Sequence, residues 1–449
     1  MIKITIADHF VSEKKYVIDI LFNEFLGLDY HILMSPRCKG YCIQLENKNK
    51  IVVEDHFFNR FEDYRDYLNA KHIPVNVGYS KNRFAVGGIP VIFGTGRLEE
   101  KKGKISCGID IFASVFFMLS RWEEYANPVR DTHQRFPATA SLAFKQNFLD
   151  RPVVNEYVEM LWQMLCDSGC KQQKKEHPFS FVLTHDVDAL LKWLGWYGVL
   201  RTAAGDILKR RQPGTAISRV QEYTKIRRGK IKDPFDTYDW LMDLSESLNL
   251  KSRFYFMSSG ISRSPFDNRT PYPIDHPAAR AIFTKIKKRG HIIGFHPGYD
   301  SGDDEILWET QKKQLEKVCA CPVTSGRQHF LRFSVPHTWQ LWENQGMEVD
   351  STCGFADREG FRCGTGNLFS VFNILTRQKL KLKEMPLVFM DARNFVCGGF
   401  QANSQFEHNL GDIIHNAKKF KSLVTLLFHN TVFIDNAYVQ MYREILEKG

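Results

Sequence analysis

No stretch of this sequence approaches the roughly 18–20 consecutive apolar residues that a membrane-spanning helix needs. Its start, Met1–His9, has no apolar core and no small-residue cleavage site, so no secretory signal is expected. Among ten cysteines none shows the paired C-x2-C…C-x2-C spacing of a structural zinc site. They fall as Cys38/Cys42, Cys166/Cys170, Cys319/Cys321 and singles, which reads as reduced thiols in a cytoplasmic protein. With 30 glycines and 17 prolines in 449 residues there is no excess of either, and collagenous or low-complexity readings fall away. A broad positive face is missing too. The formal charge is +10, but residues 189–232 alone carry eleven basic side chains against Asp206 and Glu222, a net +9. The rest of the chain is close to neutral, so a protein that coats nucleic acid is not expected.

What is present is a folded chain, 43% hydrophobic and 25% charged, long enough for two or three domains. The first part reads as mixed α/β. Strands are predicted at Ile2–Ala7, Tyr30–Met34 and Tyr41–Asp55, the last broken by a polar turn at Glu46–Lys50. Helices are predicted at Glu13–Leu26, Asp110–Tyr125 and Val153–Leu165, with Asp110 suited to an N-cap. A polar run, Cys170–Pro178, follows. The boundary is placed near residue 175, giving an accessory segment 1–175 and a second domain 176–449.

The second domain alternates more regularly. Apolar, β-rich runs occur at Ser180–His185, Arg253–Ser258, His291–His296, His329–Phe333, Met347–Ser351, Glu384–Asp391 and Ser422–His429, with helical stretches between most of them. Such alternation implies a parallel sheet covered on both faces. Seven units suit an open sheet or a seven-stranded (β/α) barrel, and the length favours the barrel.

Chemistry in parallel α/β folds gathers at the C-terminal ends of strands. Those ends here supply Asp186, Asp188, His296, His329, Arg332, Asp350, Asp391 and His429, with Asp350 equally readable as a helix cap. Asp186 and Asp188 stand two apart, so continued strand geometry turns both to one side. One could bind a metal while the other stays a free base. Histidine with carboxylates and no thiolate suits an open Zn²⁺-type site. His291, at the start of its strand, reads as structural. His429 ends the last strand, which adjoins the first in a closed barrel, and suits a general acid opposite the metal.

These residues in this order resemble the polysaccharide deacetylases of carbohydrate esterase family four, over about residues 178–449. The likeness rests on Thr184-His-Asp186-Val-Asp188, on Gly290-His-Ile-Ile-Gly-Phe-His296, and on Leu331-Arg332-Phe333 with Thr338-Trp339. Asp350-Ser-Thr-Cys-Gly-Phe, Asp391 after Pro386-Leu-Val-Phe-Met, and Leu427-Phe-His429-Asn complete it. The resemblance implies a distorted seven-stranded barrel and metal-assisted removal of an N- or O-acetyl group. It implies Asp186 as general base, Asp188 and His296 as metal ligands, and Arg332 orienting Asp186. It also implies His429 as the acid that protonates the leaving amine, with Asp391 tuning it. There is one departure: four residues after His296, where the family has a second histidine, stands Asp300. Either Asp300 or His329 would then supply the third ligand. The front segment, through Asp110-Ile-Phe-Ala-Ser-Val-Phe-Phe-Met-Leu-Ser-Arg-Trp-Glu-Glu and the Arg135-Phe-Pro-Ala run, resembles the amino-terminal region of some bacterial members of that superfamily. That arrangement suggests surface-glycan assembly.

The expectation is a cytoplasmic, zinc-type deacetylase of an N-acetylated sugar in a glycan or lipid-linked glycan precursor. The alternatives are a hydrolase of a non-sugar amide on the same barrel, or an inactive glycan-binding scaffold. The basic insert opens Leu190-Leu-Lys-Trp193-Leu-Gly-Trp196-Tyr197, with aromatic and apolar residues at helical spacing beside Lys209-Arg210-Arg211. Residues 190–232 could therefore touch an anionic membrane surface, peripheral to the inner membrane, or else pack on the protein with their arginines solvated.

Overall fold

The computed structural model describes residues 1–258, 264, 266–267, 272–391, 395–396, 399–400 and 404–449. Strand Ile2–Ile6 turns Ile2, Ile4 and Ile6 to one buried face, the period-2 pattern of a half-covered strand. It sits inside a six-stranded mixed sheet ordered Tyr30–Met34, Ile2–Ile6, Gly40–Gln44, Lys50–Glu54, Lys104–Ile109, Gly94–Lys101. The last two strands, and a separate hairpin at Gly78–Asn82 and Ala85–Val91, have no counterpart among the predicted elements. Helix Ile111–Ser120 is apolar on every side and wholly buried against this sheet. Asp110 caps it as expected, accepting from Ala113 N at 3.0 Å, and its second oxygen holds the amides of His56 and Phe57. The predicted single helix breaks at Arg121 (φ 54°), and a second one runs Trp122–Ala126.

The second sheet has nine strands. From one edge they run Phe369–Asn373, Gln378–Glu384, Val349–Asp350, Ser325–Gly326, Ile292–Phe295, Arg253–Phe256, Ser180–Val187, Leu423–Leu427, Leu387–Met390. Only the first pairs antiparallel; the other eight are parallel. Helices such as Pro277–Lys288, Glu305–Cys319, His337–Asn344 and Ser404–Lys419 make the crossovers. The central strands are short and apolar on both faces, as at Phe254, Tyr255 and Phe256. The fold is α/β, and Leu423–Leu427 does adjoin Ser180–Val187. Among the described residues no ladder joins the two edges, so the hydrogen bonding is that of an open sheet.

One predicted strand is not there. Residues His329–Leu331 form a single helical turn with Phe330 at φ 59°, and the strand of that unit is Ser325–Gly326, four residues earlier. Gly326 explains the shift, because a Cβ there would lie 2.1 Å from the Phe295 carbonyl oxygen. The strand packs that closely and then leaves the sheet, so the side chains after it turn inward from a loop.

The edge strand Phe369–Asn373 is covered by the front segment. The Tyr16 ring lies 4.8 Å from that of Phe372, and its hydroxyl donates to the Ser370 carbonyl at 2.9 Å. Glu24 accepts from Ser370 N at 3.0 Å. Deeper, Arg362 donates to Glu124, and Glu124 also accepts from Arg121, all three fully buried. A single apolar core runs through both sheets.

Candidate active site

Ser180–Val187 lies between Arg253–Phe256 and Leu423–Leu427, and its end brings Asp186 and Asp188 to the mouth of the parallel sheet. Asp186 is buried, and its Oδ1 accepts from Arg327 Nη1 at 2.9 Å. Arg327 is itself immobilised. It donates to Thr184 Oγ1 at 2.9 Å, to the Ser351 carbonyl at 2.8 Å and to Ser351 Oγ at 2.8 Å. The other Asp186 oxygen is 3.8 Å from His296 Nε2.

Asp188 faces three imidazoles. Its Oδ1 is 3.3 Å from His296 Nε2, and its Oδ2 is 3.9 Å from His329 Nε2 and 3.6 Å from His429 Nε2. Burial works to raise the Asp188 pKa, but His429, His296 and His329 outweigh it and hold the group below the ordinary carboxylate range. His296 is pulled two ways, lowered by burial and raised by Asp186 and Asp188, and the carboxylates prevail.

One carboxylate and two imidazole nitrogens, from Asp188, His296 and His329, lie within 4.8 Å of one another, a candidate site for a divalent ion. The surroundings fit such an ion. His296 Nδ1 meets the Arg327 carbonyl at 2.6 Å, and His329 Nδ1 meets Asp267 Oδ1 at 2.7 Å. Each histidine therefore spends Nδ1–H on a fixed acceptor and presents the Nε2 lone pair, the arrangement that orients metal-binding imidazoles. His329 comes from the one-turn helix, close to His296 with ring centroids 5.0 Å apart.

His429 follows Leu423–Leu427. Its Nδ1 bonds Asp391 Oδ1 at 2.7 Å, and its backbone amide donates to Asp391 Oδ2 at 2.6 Å. Burial would lower its pKa, but Asp391 first, then Asp188 and Asp186, push it up to about 10. A cavity of about 310 Å³ opens over these groups, walled by Phe330, Leu331, Met390 and Leu427.

Two expected positions lie elsewhere. Arg332 donates to the Tyr299 carbonyl and to Asp303, each at 2.6 Å, and stacks over the Tyr299 ring, so the guanidinium on Asp186 is Arg327 instead. Asp300 is exposed on the one-turn helix Tyr299–Asp303, outside the candidate donor group, whose third member is His329. The cause is local. After Pro297-Gly298 the chain turns away, held by Asp267 on the Tyr299 amide at 2.9 Å. Asp350 accepts from the Thr352 amide at 2.9 Å in a local turn, and His291 joins the Ser252 amide and Glu246, both structural.

Sequence reasoning missed Arg327, Asp267 and the reach of the front segment. Arg135 lines the cavity, tied to Asp131 and donating to the Phe330 carbonyl at 2.9 Å; His133 sits beside it against Tyr299 and Phe330. The Arg327-Gln-His329 sequence, set against a preceding strand glycine, held the signal for the first. Asp267 lies in a loop with no pattern to mark it.

No helix of the described residues is long and apolar enough to cross a membrane. A family model described as a family of unknown function (DUF7033) matches residues 2–169. No curated protein matches the chain. Among solved structures, one from Mycobacterium smegmatis, provisionally described as a polysaccharide deacetylase, is similar at 14% identity and a TM-score of 0.40. The match covers 61% of this chain and 84% of that one.

Proposed function

We propose that the protein is a metal-dependent hydrolase that removes the acetyl group from an N-acetylated sugar of a glycan or glycan precursor. The observation that carries this reading is one geometry. A candidate ion site of Asp188, His296 and His329 has an arginine-held carboxylate, Asp186, on one side and a carboxylate-held imidazole, His429, on the other. A divalent ion bound there, for which Zn²⁺ suits the donors, would supply Lewis acidity toward a substrate carbonyl. Asp186, fixed by Arg327, takes a proton from the attacking water. His429, kept cationic by Asp391, gives a proton to the departing nitrogen, which an amide needs before its C–N bond can break. Phe330, Leu331, Met390 and Leu427 give the cavity an apolar wall. Residues 1–175 serve as an accessory domain that adds Arg135 and His133 to the rim.

Metal analysis of the purified protein combined with acetate release from N-acetylated sugars tests this. The expected result is a divalent metal near one per chain, and activity that falls by about 10²–10⁴-fold in Asp186→Asn. A metal-free protein on which Asp186→Asn has no effect would leave no hydrolase to propose.

A further inference from the structure

The basic insert is a helical hairpin, Trp196–Leu208 and Pro213–Arg227, whose small core of Trp193, Val199 and Tyr223 is separate from the main one. It is rooted beside the candidate site. Leu190, two residues after Asp188, enters the main core, and Asp233 closes the base by accepting from the amides of Lys192 and Trp193 at 2.9 and 3.0 Å.

The first helix shows two faces. Val199, Ala203 and Asp206 point into the hairpin and are buried. Trp196, Tyr197, Leu200, Ile207 and Leu208 fall on an adjoining stripe and stand in solvent, with Tyr197 79%, Leu208 78% and Leu200 58% exposed. The helix thus presents a contiguous apolar and aromatic face that none of the described residues covers.

The charges are sorted as well. Both acids of the insert are used inside it. Asp206 binds Arg210 and Arg219, each at 2.5 Å, and Glu222 takes Lys192 at 2.8 Å and the Trp193 indole at 2.9 Å. Arg201, Lys209 and Arg211, around the exposed stripe, are themselves exposed, and none makes an ion pair among the described residues. The outward surface of the insert is therefore apolar, aromatic and positive, with neither of its own acids left to oppose it.

We infer that the exposed face of Trp196–Leu208 docks on an acidic phospholipid surface. Leu200, Ile207 and Leu208 would enter the interface, with Trp196 and Tyr197 at headgroup level and Arg201, Lys209 and Arg211 against the lipid phosphates. Charge complementarity selects this occupant. A second copy of the chain would oppose one +9 insert to another, whereas an acidic bilayer supplies both the apolar layer and the counter-charge. The inference does not depend on the proposed hydrolysis, and its test reads no activity.

The full-length protein is sedimented with vesicles of phosphatidylcholine containing about a third phosphatidylglycerol, and with vesicles of phosphatidylcholine alone. Binding is expected to the acidic vesicles only, and to weaken as salt rises. The double variant K209Q/R211Q should bind roughly thirty-fold more weakly, at about one kcal/mol per cation. L200Q/L208Q, which changes only exposed side chains, should lose about tenfold or more. An unchanged melting temperature in both variants ties the loss to the surface. Absence of binding to acidic vesicles at low salt overturns the inference, as does binding that neither variant weakens. Self-association that L200Q/L208Q abolishes, without vesicle binding, overturns it in favour of a protein partner. So does retention by RNA in place of vesicles.

Discussion

Arg327 and Arg332 stand five residues apart and face different neighbours, and the difference can be read in rates. Arg327→Lys keeps a charge but loses the fork that spans Asp186, Thr184 and Ser351, so Asp186 swings free. On the proposed hydrolysis, turnover should fall on the order of a hundredfold, since displacing a reacting group by about 1 Å costs that much. Arg332→Ala removes contacts to Tyr299 and Asp303 only and should leave turnover close to that of the parent. The ion site divides in the same way. His329→Ala should abolish tight metal binding in a competitive chelator titration, and Asp300→Ala should not alter it. Asp267→Asn should weaken binding about 10–100-fold through the tautomer of His329. The strand-end rule pointed to Asp186, Asp188, His296, Asp391 and His429, which the structure brings together, whereas His329 joins them from a one-turn helix where a strand was expected. It misassigned the arginine because a two-residue strand ending at a tightly packed glycine carries almost no hydrophobic pattern. Asp267 was illegible for a different reason, since its partner is 62 residues away.

Strand Ser180–Val187 also carries a group on its other face. His185 points away from the site; its Nδ1 meets the Phe428 carbonyl at 2.9 Å and its Nε2 faces Ser252 Oγ at 3.2 Å. Burial lowers its pKa from 6.5 to about 4, so it is neutral in the folded protein through that range. The unfolded chain takes up a proton below about pH 6.5 and the folded chain does not until about pH 4. Its contribution to stability is thus present at pH 7, is lost as the pH falls between those values, and amounts to about 3 kcal/mol. Chemical denaturation at pH 7 and about pH 4.5 should show the parent losing more stability than His185→Gln, which has nothing to protonate. The main alternation of strand and helix was legible because fully buried strands and amphipathic crossovers have distinct periods. The antiparallel pair Phe369–Asn373 and Gln378–Glu384 was not, because its second strand reads Gln-Lys-Leu-Lys-Leu-Lys-Glu, charged enough to pass for a surface loop. The break at Arg121 was hidden for the opposite reason. The apolar period runs straight through it, and the Arg121 side chain is held at the break by Glu124, Glu123 and the Met118 carbonyl.

At the scale of the whole molecule, the two sheets share one core and are locked by Arg121, Glu124 and Arg362. Arg362→Ala would leave Glu124 buried with one of its two guanidinium partners gone, a cost of about 3–5 kcal/mol. Because that bond bridges the sheets, the loss should appear in a single unfolding transition shared by both, read by calorimetry. The front segment reaches the candidate site as well as the core. Arg135→Ala should raise KM for the acetylated substrate with little change in turnover, since Arg135 walls the cavity but touches neither Asp186 nor His429. The polar run near residue 175 led to the expectation of a two-part chain. A shared core could not be read from it, since contacts such as Tyr16 with Phe372 join residues that no local pattern connects.

The covered edge strand has a consequence for what can be made from this chain. Phe369–Asn373 is buried along its whole length, and what hides it is Tyr16, Glu24 and the ring of Phe116. Cut away from residues 1–175, the nine-stranded sheet would offer that row of backbone donors and acceptors, with Phe372 beside it, to any passing β-strand. The isolated second half should therefore aggregate by strand addition, whereas co-expression with the missing half should restore a dispersed protein.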